Sequence, residues 1–94
     1  MIVSYRDKRT ESFAAGADIP KFQAFADQAY KRLRILEAAT SLADLRGLPS
    51  NRLEALRGDR TGQWSIRINQ QWRVCFEWSD DKGGAENVEI VDYH

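Results

Sequence analysis

The sequence predicts an α+β fold in which helices cover one face of a mainly antiparallel sheet, with the element order βαα(α)βββ. Apolar side chains between Phe22 and Ala39 recur with the spacing of one helix face. Between Trp64 and Trp78 apolar and polar residues alternate, which is typical of strands with one buried face. A sheet with an aromatic face needs a helical cover, so we expect the 94 residues to form a single domain over residues 1–94.

The chain is expected to begin with one short strand and one short helix. Ile2–Tyr5 is an apolar strand candidate. Asp7 or Thr10 can cap a brief helix, because a short polar side chain accepts hydrogen bonds from the free amides of the first turn. Gly16 then supplies the conformation that commonly ends a helix.

A long amphipathic helix is predicted next. Asp18 and Pro20 supply a start signal, and apolar residues continue on one face as far as Ala39. This apolar stripe is either core or a groove for a partner, and core is favoured because the sheet needs a cover. Ser41 can cap a further short turn through Leu45.

A β-hairpin is predicted in the second half of the chain. Its apolar face carries Trp64, Ile66 and Ile68 from one strand, and Trp72, Val74, Phe76 and Trp78 from the other. These two sets coincide only if Ile68 lies opposite Trp72, which requires an odd-numbered loop, most simply Asn69–Gln71. The last strand is predicted over Asn87–Tyr93, after a turn at residues 82–84.

The same register places Arg67 directly opposite Arg73. Two like charges facing each other across strands destabilise a hairpin unless an anion or a carboxylate lies between them. The hairpin therefore carries an electrostatic cost for which the sequence shows no structural reason. For the arginines of residues 44–73 as a group, the alternative to RNA contact is pairing with Glu77, Glu86 and Glu89 on a solvated sheet face.

Charge is unevenly distributed along the chain, although the formal net charge is zero. Residues 44–73 carry 6 basic and 3 acidic side chains, whereas residues 74–94 carry 1 and 6. Local fields rather than the total charge steer a polyanion, so an arginine-rich middle is compatible with RNA contact. Arginine beside tryptophan is a combination that suits phosphate and unstacked bases.

The single cysteine and the N-terminal residues indicate which cellular compartment to expect. The single cysteine, Cys75, cannot form an internal disulfide, so a reducing compartment is expected. The first residues lack the apolar run of a signal peptide, and no segment is long and apolar enough to span a membrane. We expect a cytoplasmic protein.

The motifs of the second half resemble a known family. NRLEALRGDRTGQWSIRINQQWRVCFEW, followed by ENVEIVDYH at the end of the chain, is similar to the HigB family of RelE-like toxins of bacterial type II toxin–antitoxin systems. The specific parts are the L-x-G-x-R-x-G-x-W-S-I block, the N-x-x-W-R pair and the terminal D-Y-H. Nearly the whole chain takes part, because the helical first half is similar in length and pattern. The resemblance implies a small RelE-like domain.

The resemblance also implies an activity and partners. Such a toxin enters the ribosomal A site and cleaves mRNA during translation. A HigA-like helix-turn-helix antitoxin neutralises it, and the complex of the two proteins usually represses its own operon, so operator DNA is contacted through the antitoxin. No cofactor and no metal ion is expected.

The residues offer groups for metal-independent RNA cleavage. The 2′-hydroxyl must lose a proton, the charge developing on the phosphorus must be stabilised, and the leaving 5′-oxygen must gain a proton. Arg73, joined by Arg67 and Arg57, can hold phosphate oxygens through planar forks. Tyr93 is predicted on the same sheet face, and His94 has a side chain that titrates near neutrality.

Glu54 departs from the family pattern, because some relatives carry a histidine there, which is a plausible general base. Glutamate can also act as a base, but nearby arginines favour its charged form and would make it a poorer one. Relatives with lysine at Arg57 could transfer a proton, whereas arginine can only stabilise charge. Asp92 is predicted on the core side, where it would orient a neighbour. The residues expected to contact RNA or the ribosome are Arg52, Arg60, Arg67 and Asp92.

Other chemistries find little support in the sequence. One cysteine and one histidine cannot build a structural zinc site, and no glycine-rich phosphate loop is present. Cys75 has no nearby base that would make it a nucleophile. Three competing functions stay open: a ParE-like toxin that binds gyrase, a weakly active toxin kept as an antitoxin-binding co-repressor, and an interaction module without toxicity.

Overall fold

The computed structural model describes residues 1–92, which form three α-helices and one four-stranded sheet. The helices are α1 (Lys8–Ala14), α2 (Ala26–Ala38) and α3 (Leu42–Arg46). The strands are β1 (Glu54–Ala55), β2 (Trp64–Arg67), β3 (Trp72–Ser79) and β4 (Gly84–Asp92). All neighbouring strands are antiparallel, in the order β1-β2-β3-β4. Short 3₁₀ turns occupy Pro20–Phe25, Pro49–Asn51 and Gly58–Arg60.

Among the described residues, no helix has the length and apolar character needed to cross a membrane.

The two helix starts assigned from capping residues are confirmed. The Asp7 carboxylate accepts a hydrogen bond of 2.9 Å from the Thr10 amide at the start of α1. The Ser41 hydroxyl accepts one of 3.2 Å from the Asp44 amide at the start of α3. Each side chain satisfies an amide that the first turn of a helix leaves unpaired.

The long helix predicted from Pro20 is wrong in its first turns. Residues Pro20–Phe25 form a 3₁₀ helix, and α2 begins only at Ala26. In a 3₁₀ helix the side chains at positions i and i+3 lie above one another. Phe22 and Phe25 therefore point together into the core, where both contact the Trp72 ring. Aromatic packing decides the geometry of this segment, and helical periodicity alone cannot reveal it.

The predicted first strand is reduced to two isolated bridges. Ile2 pairs with Ala85, and Tyr5 with Val88, both in parallel orientation along the edge of β4. Between these bridges β4 carries an extra residue, because the register shifts between Cys75 and Glu77 on β3. Asn87 lies there with a left-handed φ of 52°, and its amide donates to the Ser4 hydroxyl. This bulge interrupts the ladder that a continuous edge strand would need.

The predicted hairpin register is confirmed. Ile66 pairs with Val74 and Arg67 with Arg73, and the Ile68 amide donates to the Trp72 carbonyl. Asn69 closes the connecting loop, since its side-chain oxygen accepts hydrogen bonds of 2.8 Å from the amides of Gln71 and Trp72. An asparagine side chain that binds amides two and three residues onward is a common turn device.

One core lies between the helices and the sheet. The apolar faces of β2, β3 and β4 supply the sheet side of this core, as predicted. The partly buried tryptophans at positions 64, 72 and 78 pack against its margin. Its largest fully buried apolar side chains are Phe22, Phe76, Leu36, Leu45, Ile66, Ile90, Val74 and Val88. The short strand β1 was not predicted, because two exposed residues carry no alternation signal.

Candidate active site

The sheet face that points away from the helices carries two rows of aligned residues, and we call it the open face. One row crosses all four strands through Glu54, Ser65, Cys75 and Glu89, which are successive cross-strand partners. The second row contains Arg67, Arg73 and Val91. Side chains of directly paired residues lie on the same face within contact distance. Two arginines, two carboxylates and a hydroxyl are thereby held on one rigid surface.

Arg73 lies near the middle of the open face and is partly buried. Its Nη1 donates hydrogen bonds to the Ser65 hydroxyl at 3.0 Å and to the Arg52 carbonyl at 3.4 Å. The carbonyl reaches Arg73 because Arg52 adopts a left-handed φ of 46°, at the end of the Pro49–Asn51 turn. The guanidinium is thus oriented by neutral oxygens, and no carboxylate of residues 1–92 forms an ion pair with it.

Arg67 faces Arg73 in the neighbouring strand, as predicted. Its Nε donates to the carbonyl of Asn69 at 3.1 Å. Within residues 1–92 no ion pair joins either arginine to a carboxylate. Pairing with Glu77, Glu86 or Glu89 is therefore wrong for Arg67 and Arg73, because within the described residues those glutamates pair with other cations.

The glutamates of the sheet pair with other cations instead. Glu89 is buried, accepts a hydrogen bond of 2.9 Å from Arg60, and forms an ion pair with Arg6 at 3.3 Å. Arg6 also pairs with Glu77. For Arg60 the alternative interpretation, pairing with a glutamate of the sheet, is confirmed, because its guanidinium binds Glu89. Arg60 also donates to the side chain of Gln63, which fixes its direction further.

Glu54 and Arg57 lie at the edge of the open face. Glu54 is exposed on β1, directly opposite Ser65, and Arg57 is exposed three residues later. Together with the two residues between them they line an open depression of about 400 Å³. Arg52 precedes this segment and accepts a hydrogen bond from Arg73 through its carbonyl, while Ser65 links Arg73 to the Glu54 strand.

Asp92 lies on the sheet face that strand parity predicted, because it is paired with Trp72 at the end of β4. Its side chain is nevertheless exposed, at the rim of the core. The bulky Trp72 ring fills the core side at this end of the sheet, and the Asp92 carboxylate accepts a 2.7 Å hydrogen bond from the Gln71 side chain. Tyr93 and His94, the remaining predicted site residues, lie outside the described residues.

Cys75 lies under the open face and is fully buried. Burial raises the pKa of its thiol to about 11, although the nearby Arg60 and Arg73 charges act in the opposite direction. The group is therefore a neutral thiol at physiological pH. A thiolate nucleophile at this position is excluded on these grounds.

Two residues of the site were not assigned from the sequence. Ser65 is completely buried on the open face and is the closest oriented partner of Arg73. Strand alternation placed Ser65 on the correct face, but only the register of β1 shows that Glu54 lies directly opposite it. Arg6 follows the bridge at Tyr5 and reaches across β4 to two glutamates. No local signal in the sequence predicts such a long-range ion pair.

Comparisons with known proteins agree with this fold. The family model of the HigB-like toxin, a RelE-like toxin of the type II toxin–antitoxin system HigB, matches residues 3–94. The toxin HigB-1 of Vibrio cholerae serotype O1 is 35% identical over 82 residues, which are 85% of this chain and 86% of the relative. The endoribonuclease HigB of Proteus vulgaris is 34% identical over 68 residues, or 72% and 71% of the two chains.

Solved structures show the same architecture at low sequence identity. A YoeB/ParE toxin from Agrobacterium tumefaciens superposes with a TM-score of 0.58 at 17% identity, covering 99% of this chain and 98% of the other. A chain of the YoeB–YefM complex from Staphylococcus aureus gives 0.56 at 18% identity, covering 100% and 98%. The predicted α+β fold of RelE-like toxins is confirmed.

Proposed function

Since the chain belongs to the HigB-like family of RelE-like toxins of type II toxin–antitoxin systems, we propose that it is an endoribonuclease that cleaves mRNA on the translating ribosome. One relative carries the name endoribonuclease. The proposed setting is the cytoplasm, where translation takes place, and the proposed catalytic unit is the whole chain as one toxin domain.

The observation that carries this proposal is the pair of facing arginines on the open face, neither of which forms an ion pair with a carboxylate of the described residues. Arg67 and Arg73 face each other across the hairpin, and the described residues supply no carboxylate between them. A phosphate group of RNA would relieve their repulsion and accept hydrogen bonds from planar guanidinium forks. Because both side chains are already held by hydrogen bonds, little entropy is lost when phosphate binds.

Within this proposal the residues have separate roles. Arg73 stabilises the charge that develops on the phosphorus when the 2′-oxygen attacks and the 5′-oxygen leaves. Arg67, Arg57 and Arg52 hold neighbouring phosphates, and Arg60, oriented by Glu89, together with Asp92 borders the path of the strand. Proton transfer is assigned to the end of the chain, Tyr93 and His94, with Glu54 as the competing base. The reaction proposed needs no metal ion, because arginine supplies the positive charge.

Orientation of the message by the ribosome supplies part of the rate in this proposal. Holding the reacting groups in line converts a rare encounter into a frequent one, even where the base is not ideal. The proposed antitoxin partner is a HigA-like helix-turn-helix protein, which would also connect the toxin to operator DNA. The gene next to this one is expected to encode it.

A translating extract tests the proposal. Purified protein should produce defined breaks in a reporter mRNA only when ribosomes are present, and Arg73→Ala should remove them. Lys31→Ala, a change of an exposed cation on α2, serves as the matched control and should cleave normally. Intact mRNA together with loss of gyrase supercoiling would instead identify a gyrase inhibitor. Intact mRNA with normal supercoiling and strong antitoxin binding would identify a co-repressor.

A further inference from the structure

We propose that a depression at the end of the sheet binds one nucleotide of single-stranded RNA, adjacent to the strand held at Arg73; this inference rests on the nuclease function proposed above. The depression encloses about 290 Å³, close to the lower limit of about 300 Å³ for small-ligand sites. We call it the edge depression. It is lined by Arg9, Lys21, Arg60, Trp72, Val91 and Asp92.

The edge depression carries positive charge that the described fold does not neutralise. Arg9 and Lys21 are exposed, and neither belongs to an ion pair within residues 1–92. Arg60 differs, because Glu89 already engages it. Asp92 contributes a carboxylate, but this group is held by the Gln71 side chain. Two cations from separate helical segments therefore line the edge depression. Phosphate is the ligand that such a cluster of cations favours.

The anchored aromatic ring of Trp72 lines the edge depression. Trp72 stacks on Phe25 with 4.9 Å between ring centroids and meets the edge of Phe22 at 5.8 Å. Lys21 Nζ lies 6.0 Å from the Trp72 centroid, and Arg9 Cζ lies 5.2 Å from the Phe22 centroid. Trp72 lines the depression, whereas Phe22 is fully buried, so an unpaired base would stack on Trp72 beside the Lys21 cation. The Trp72 ring is already ordered by the core, so stacking costs little additional entropy.

The position of the edge depression connects it with the candidate active site. Trp72 directly precedes Arg73 on β3, and Val91, which lines the depression, is the cross-strand partner of Arg73. Adjacent residues of a strand are about 3.3 Å apart, although their side chains point to opposite faces. An RNA strand leaving Arg73 over the end of the sheet would therefore meet the edge depression next. Stacking there would tolerate any base, because every base has a flat face.

Binding of an uncleavable oligonucleotide tests this site. A short single-stranded RNA with 2′-O-methyl groups throughout lacks the nucleophile, so its dissociation constant can be followed by fluorescence anisotropy across a salt series. The double variant Arg9→Gln/Lys21→Gln should weaken binding by about tenfold or more at low salt. Its slope of log affinity against log salt should fall by about 1.4, since each single-strand phosphate contact contributes roughly 0.7.

A matched double variant controls for loss of charge as such. Lys31→Gln/Arg34→Gln removes two exposed cations from α2, away from the edge depression, and should keep the native affinity and slope. Equal losses in both double variants, or no loss in Arg9→Gln/Lys21→Gln, would overturn the proposal. Unchanged oligonucleotide affinity with weakened binding to empty ribosomes would also overturn it, and would assign the two cations to ribosomal RNA instead of the message.

The result can be separated from the fate of the nuclease assignment, because the oligonucleotide measures binding alone. If the native protein leaves mRNA intact yet binds the oligonucleotide through Arg9 and Lys21, the nuclease proposal fails and the edge depression stands. If mRNA is cleaved and these two side chains do not affect oligonucleotide binding, the nuclease proposal stands and the proposed edge depression site fails. In a cleaving protein, Arg9→Gln/Lys21→Gln should raise KM and leave kcat within about twofold of native, the pattern of a lost binding contact.

Discussion

The guanidinium of Arg73 is the group on which the proposed chemistry depends most. Arg73→Ala should lower the rate of mRNA cleavage by about 10² to 10³-fold, because one positioned donor to a developing charge is worth roughly 3 to 4 kcal/mol. Arg73→Lys should restore only part of the rate, since an ammonium cannot present a planar fork to phosphate. Cleavage rates on programmed ribosomes measure both effects.

The fold should survive this substitution, because Arg73 points away from the apolar core. Circular dichroism of the alanine variant should match that of the native protein. Removing one of two facing positive charges also relieves repulsion with Arg67. Native-like cleavage by a folded Arg73→Ala variant would rule out the role assigned to this residue.

Proton transfer is the second question at the residue scale. Glu54 is exposed on a two-residue edge strand, where water competes with substrate for its carboxylate. We expect Glu54→Gln to reduce cleavage by less than about tenfold. Truncation after Asp92, which removes Tyr93 and His94, should cost about a hundredfold or more, as loss of a positioned acid or base does. Cleavage rates measured across pH for both variants would distinguish Glu54 from the Tyr93–His94 end as the proton-transfer site. An inactive Glu54→Gln variant beside an active truncation would make Glu54 the base.

At the scale of elements, the start of α3 provides a test that is independent of catalysis. The Asp44 carboxylate accepts hydrogen bonds of 2.9 Å from both the amide and the hydroxyl of Thr40. These bonds lower the pKa of Asp44 below its ordinary value of 3.8. A carboxyl with a lowered pKa in the folded state stabilises the fold above its unfolded-state pKa, and this contribution disappears as the pH falls through the folded-state pKa.

Asp44→Asn should therefore be less stable than the native protein near neutral pH, and the difference should shrink as the pH falls below about 4. Urea unfolding midpoints at several pH values measure the difference. Glu37→Gln, a change of another exposed carboxylate before the same segment, provides the comparison. A constant difference between native and Asp44→Asn from neutral to acidic pH would contradict the assigned role of the carboxylate.

Elements governed by local rules could be predicted from the sequence. The Asp7 and Ser41 caps depend on a side chain and an amide three residues onward, and the hairpin register follows from alternation and loop length. The 3₁₀ segment before Ala26 could not be predicted, because its geometry is set by the packing of two phenylalanines against Trp72. The bulge at Asn87 likewise depends on contacts with the first residues of the chain.

For the candidate site, the face of each strand residue was predictable from the sequence, but its ion pairs were not. Parity along the strands identified the face of Arg67 and Arg73, because the side-chain period of a strand is fixed. Parity could not decide which arginines form no ion pair with a carboxylate of the described residues. That outcome depends on Arg6, which is far away in sequence and occupies Glu77 and Glu89. Long-range ion pairs leave no trace in local spacing, so the charge balance of the open face had to come from the structure.

The whole molecule depends on a single core of modest size. A chain of 94 residues buries only about 60 to 65% of the surface that its unfolded form exposes, and proteins in general are stable by about 5 to 15 kcal/mol. Phe22 is fully buried, and it contacts Phe13 of α1, Phe25 and Trp72 of β3. It therefore joins the helices to the sheet at one point.

Phe22→Ala should accordingly lower the free energy of unfolding by about 3 to 5 kcal/mol, the usual cost of truncating a buried aromatic side chain. The urea midpoint should fall while the dependence of the free energy on urea stays unchanged, because helices and sheet unfold together around the shared core. Phe22→Leu, which keeps most of the apolar volume, should recover a large part of the loss. A variant with two separate transitions would show that the helical half and the sheet do not depend on one another, and would contradict the role given to Phe22.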